Sequence, residues 1–110
     1  MGAPHNLFFR ATGAAAMAET IVAEGNIRIH NVQVHLDAAP AETNIFTIKI
    51  DAKPGPAYDT VLYTKEMNTL TDDVKEFDSF LVQGGDEVDF AMPNTGTDTW
   101  GLTVAYSKTT

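Results

Sequence analysis

Val88, Phe90 and Met92 alternate with Asp89 and Ala91, and Trp100, Leu102, Val104 and Tyr106 alternate with Gly101, Thr103 and Ala105. Side chains two apart on an extended chain share a face, so each run predicts a strand with one apolar face. Gly84-Gly85-Asp86 before the first run and Asn94 to Asp98 between the two supply turn residues, so the pair reads as antiparallel. Phe46, Ile48 and Ile50 around Thr47 and Lys49 predict a third strand, closed by a turn over Asp51 to Ala57 with Pro54-Gly55-Pro56. Tyr58 to Thr64 reads as a strand apolar on both sides around Leu62, hence central or covered. Lys65 to Asp78 is polar and acidic, and Met67, Leu70 and Val74 do not keep a helical period. That stretch reads as a long surface loop with one helical turn at most.

A change of phase marks the first half. Ile27 and Ile29 are apolar at odd positions, whereas Val32, Val34 and Leu36 are apolar at even ones. A strand cannot change phase without exposing its core set, so one extra residue is expected at His30-Asn31, a β-bulge. Thr20-Ile21-Val22 reads as a short strand before Gly25-Asn26. The whole pattern predicts an all-β fold, an antiparallel β-sandwich.

Residues 1–20 differ from the rest: a breaker-rich start, a compact Leu7-Phe8-Phe9 cluster, and an Ala-rich run from Ala11 to Ala18 with room for one or two helical turns. Either Phe8 or Phe9 fills the core as a first strand, or the segment is an extended arm that packs on a neighbouring subunit through Leu7, Phe8 and Phe9. The division adopted is an N-terminal arm over 1–20 and a sandwich domain over 21–110. On that division, deleting 1–20 is expected to leave a folded domain that no longer binds or assembles.

At 110 residues the chain is one domain. There is no cysteine, so disulfides, thiolate metal sites and thiol nucleophiles are excluded. The net charge of -8 comes with scattered Lys and Arg and no basic cluster, which argues against nucleic acid and anionic membrane as partners. No apolar run reaches the length of a membrane span. Ala14 to Ala18 has a small-residue pattern, but no basic segment precedes it and the apolar stretch before it is only Leu7-Phe8-Phe9, so no signal peptide is expected; Asn6 weakens a lipidation motif at Gly2.

Candidate chemistry is sparse. His30 and His35, with His5 remote from both, fall short of a zinc set without a third ligand at fixed geometry. Asp86, Glu87 and Asp89 form the densest carboxylate group, followed by Asp72, Asp73, Glu76 and Asp78, yet the glycine-punctuated calcium loop is missing. Solvent-face charges that keep sheets from stacking account for them better. The two serines, Ser79 and Ser107, lie outside any nucleophile-elbow context. Trp100 is in phase with Leu102 and Val104, which places it in the core and not on a sugar-stacking platform. The expectation is no enzyme, with no catalytic residue, metal or cofactor.

Val32 to Pro40, Phe46 to Asp51, Tyr58 to Tyr63, Gly85 to Asp89, and Asn94-Thr95 with Trp100-Gly101-Leu102 together make residues 27–106 resemble short structural proteins of tailed bacteriophages and prophages. That resemblance implies a jelly-roll-like sandwich and a virion role made in the host cytoplasm. The reading it leads to is a capsid decoration or cement protein, seated on the major capsid protein as a homotrimer or another symmetric oligomer. A tail, baseplate or fibre-associated sandwich and a carbohydrate-binding module are the alternatives.

Overall fold

The computed structural model describes residues 6–109. Eight strands follow in order: β1 (Asn6–Gly13), β2 (Met17–Val22), β3 (Ile27–Leu36), β4 (Ile45–Asp51), β5 (Thr60–Glu66), β6 (Asp72–Val82), β7 (Glu87–Met92) and β8 (Trp100–Lys108). A 3-10 turn, Pro56–Tyr58, closes the expected turn and takes in Tyr58, so β5 starts at Thr60 and not at Tyr58. The first sheet has the order β1-β8-β3-β6 and the second β2-β7-β4-β5. Every pairing is antiparallel. Two four-stranded sheets with these crossovers are an eight-stranded jelly roll, so the expected all-β sandwich is the observed one.

The core lies between the sheets and follows the alternation read from the sequence. Phe46, Ile48, Val88, Phe90, Met92, Trp100, Leu102 and Val104 are all buried. The phase change in β3 is a bulge: its register against both β6 and β8 shifts between Ile29 and Asn31. Ile27 and Ile29 before it, and Val32, Val34 and Leu36 after it, therefore all reach the same core.

Five expectations are corrected. The described part of the 1–20 arm is not an arm, because β1 pairs with β8 along its whole length and β2 pairs with β7. The boundary at 20 falls inside β2, whose Met17 and Ile21 belong to the core. The Ala-rich run is split between the two strands and the bend joining them, with no helical turn. Residues 1–5 lie outside the described residues.

Lys65 to Asp78 is not a loop: it holds the end of β5 and most of β6. Strand β6 is the edge of the first sheet, so even its inward positions, Asp73, Lys75 and Phe77, are only half-buried and need not be apolar. Strand β5 is the edge of the second sheet and not a central strand. Val61 and Leu62 are both apolar because the register against β4 slips there, and Val61 is left exposed.

Candidate functional site

The described surface is distinguished by where its apolar side chains stand. Eight large ones are exposed, and six of them, Phe8, Val22, Val61, Val74, Phe80 and Leu81, lie on the four edge strands. Single exposed apolar residues are ordinary, but edge strands also offer unpaired backbone donors and acceptors, so the combination marks these edges as the candidate site.

One flank is built by β5 and β6, facing each other from the two sheets. The Tyr63 hydroxyl donates to Asp73 Oδ2 at 2.7 Å across the gap. The Lys75 ammonium lies 5.4 Å from the centroid of the Tyr63 ring and 5.5 Å from that of Phe77. Phe77 and Phe80 meet edge to face at 6.4 Å, and with Leu62 and the stem of Lys75 they line a shallow open hollow. Burial, then the Asp73 hydrogen bond and charge, push the Tyr63 hydroxyl from 10.0 up to about 12. Because the folded chain holds this proton more tightly than the unfolded one, the contribution is complete below pH 10 and is lost as pH rises through about 12. In a tyrosinate absorbance titration a late step at about pH 12 is expected for Tyr63, and Tyr63→Phe is expected to remove it. A titration without that late step would show that burial and the Asp73 bond do not hold the Tyr63 proton in solution.

The opposite flank is built by β1 and β2. Of the three residues read as partner-binding, Leu7 and Phe9 turn inward and are half-buried, with Phe9 against the core. Phe8 turns outward, 61% exposed, and the Arg10 guanidinium lies 5.8 Å from the centre of its ring. The sequence thus pointed to this flank, but not to Phe77 and Phe80 on the other. The apolar residues scattered through the acidic run were its one signal, and the irregular edge strand hid it.

The remaining candidates fall into place as supporting structure. His30 is the bulged residue: its Nε2 lies 2.8 Å from the buried Ser107 hydroxyl and its Nδ1 3.3 Å from Ser79. Both serines of the chain therefore meet one histidine, and Arg28 donates to the Ser79 carbonyl at 2.8 Å. These contacts hold the bulge in place. His35, away from His30, lies 2.6 Å from Asp72; that bond, followed by one from Thr71, lowers the Asp72 carboxyl below its ordinary range. His5 lies outside the described residues.

Glu87 and Asp89 share the outer face of the second sheet, as read, and Asp51 from β4 joins them, all within 4.8 Å. Asp86 instead accepts from the Lys53 amide in the adjoining turn. Thr20 donates to Asp89 at 2.8 Å, and Lys49 pairs across from Asp89 on β4. Trp100 is 3% exposed and donates its indole N–H to the Ala15 carbonyl at 2.8 Å, so it presents no platform for a sugar.

No protein-family pattern matches the chain, and no curated protein does. Among solved structures it is similar to the Drosophila NLP-core, whose crystal structure is described as giving insight into pentamer formation and histone binding. The likeness covers 92% of this chain and 98% of that one at 14% identity, with a TM-score of 0.50. At that identity it speaks for the jelly-roll fold alone.

Proposed function

We propose that this protein is a non-catalytic assembly subunit, a virion structural protein of a tailed phage or prophage that decorates the capsid shell as a symmetric oligomer. The observation that supports this best is the gathering of exposed apolar side chains on the edge strands of both flanks. Such groups gain by burial at roughly 25 cal/mol per Å² against a partner, and symmetric assembly repeats the gain at each copy. The resemblance of residues 27–106 to phage structural proteins points the same way. So does the precedent that a jelly roll of this kind, the NLP-core, is described as pentamer-forming. The major capsid protein is the partner this reading names.

The test is co-sedimentation of the purified chain with heads of the phage or prophage that encodes it. Saturable binding at a fixed stoichiometry to the shell is expected. Heads that sediment without the chain would overturn the decoration role.

A second reading is favoured by one observation, the Asp51, Glu87 and Asp89 cluster on a chain of net charge -8. An acidic face suits a basic protein partner, and the NLP-core is described in terms of histone binding. Binding of that kind weakens steeply with salt, whereas apolar docking does not.

A further inference from the structure

We propose that a second copy of this chain docks head to tail on the first sheet, with its β1 edge against the β6 edge of its neighbour. This rests on the assembly reading above and names its contact. Strands β1 and β6 are the two free edges of that sheet. Strand β1 is regular for eight residues, paired from Asn6↔Ser107 to Gly13↔Trp100 with no register shift, so its outer side is a straight row of backbone groups. None of the devices that blunt an edge is present on it: no proline, no bulge, and one charge in eight residues.

Polarity permits the contact. Three antiparallel steps, β1 to β8, β8 to β3 and β3 to β6, leave β1 and β6 running in opposite senses. A neighbour in the same orientation therefore presents its β1 antiparallel to this β6, and the sheet continues across the junction. Such a contact uses two different surfaces, so it builds a ring or a helix and not a two-fold dimer.

Charge decides among the possible pairings. Strand β6 bears Asp72, Asp73, Glu76 and Asp78 against Lys75, so β6 on β6 would set carboxylates against carboxylates. Strand β1 bears Arg10 alone, so β1 on β1 would bring two guanidinium groups together. Among pairings of this sheet's two edges, only β1 on β6 joins unlike charge. Apolar partners also match: Phe8 is outward on β1, and Val74 is outward and 56% exposed on β6. Asp78 and Ser79, with φ of 24° and 57°, break the β6 edge, so the pairing stretch is the six residues from Asp72 to Phe77.

Light scattering on the full chain, beside Phe8→Asp and Val74→Asp, tests the contact. Both residues are exposed, on opposite edges, and circular dichroism checks that each variant folds; Arg10→Glu replaces Phe8→Asp if the latter does not. The unsubstituted chain is expected to exceed the 11.9 kDa of one protomer, and either variant alone to fall to it. Mixed in equal amounts, the two variants each keep one good edge, so a species of two protomers should return. A monomeric unsubstituted chain would overturn the proposal, as would a mass lowered by only one of the two substitutions or by neither. A chain that is monomeric yet still sediments with phage heads would sink this contact and leave shell decoration standing.

Discussion

Deleting residues 1–20 is expected to abolish folding, with no cooperative thermal transition and loss of the β signal in far-ultraviolet circular dichroism. The deletion removes β1 and most of β2. Strand β8 loses one of its two partners, and β7 loses its partner at the Met92 end. Met17, only 2% exposed, leaves the core together with Phe9 and Ala11 packed on it. Emptying a buried methionine site alone costs about 2–5 kcal/mol. Trp100 Nε1 loses the Ala15 carbonyl, and the Asn94 amide loses two of its three acceptors, at about 1–3 kcal/mol for each polar group left buried and unpaired. A domain of this size has only about 5–15 kcal/mol in all, so these losses, added to the lost pairing of two strands and the lost packing of Phe9 and Ala11, are of the same order as the whole reserve. A truncated chain that still melts cooperatively would show the first two strands to be dispensable, as an arm would be.

Asn94→Ala should be the most damaging single polar substitution, lowering stability by about 3–5 kcal/mol in urea denaturation. Asn94 is 2% exposed and its Nδ2 lies 3.1 Å from the Ala14 carbonyl, 3.0 Å from that of Ala15 and 2.9 Å from that of Asp98. One side chain thus ties the β1–β2 bend to the β7–β8 turn. Its backbone amide donates to Asn44 Oδ1 at 2.8 Å, fixing the start of β4 to the same node. Alanine removes the Asn94 donor from the Ala14 and Asp98 carbonyls, leaves the Ala15 carbonyl with the Trp100 N–H alone, and must also adopt φ of 52°, a left-handed conformation that asparagine tolerates and alanine resists by about 1–2 kcal/mol. Asn94→Gly separates the two effects, since it loses the donors but accepts the backbone; it should retain about 1 kcal/mol more than the alanine variant. Equal losses in the two would place the whole effect in the hydrogen bonds, and a loss under 1 kcal/mol in Asn94→Ala would show that the node does not hold the ends together.

The central strands were legible because both their faces are settled by burial. Strands β4 and β7 alternate cleanly, β8 does so as far as Ala105, and the bulge at His30 could be placed from the phase change between Ile29 and Val32. The edge strands were not. An inward-facing residue at a sheet edge still touches water, so Asp73 and Lys75 are allowed where a central strand would need Val or Ile, and the alternation of β6 disappears. In β5 the slip at Leu62 put two apolar residues side by side and imitated a fully covered strand. Strand β1 does alternate in burial, but Leu7, Phe8 and Phe9 are apolar in succession, which conceals which of them face in. The same blur governed the candidate site: Leu7 to Phe9 could be singled out as a cluster, while Phe77 and Phe80 lay in a segment without readable period. Nothing local in the sequence announced that Asn94 would reach back to Ala14 and Ala15.

The union of β1 with β8 has a consequence for how the molecule is made. On the ribosome, Asn6–Gly13 emerges long before Trp100–Lys108, and the strand that lies between β1 and β3 in the finished sheet is the last to be synthesised. A nascent chain must therefore wait with Leu7, Phe8 and Phe9 unsheltered until Trp100–Lys108 has left the ribosome. Non-local sheets of this kind form slowly, in milliseconds to seconds. During that delay, crowded polysomes would bring many waiting β1 segments together, so yield at high expression should depend on translation speed and chaperone supply as much as on the stability of the finished fold.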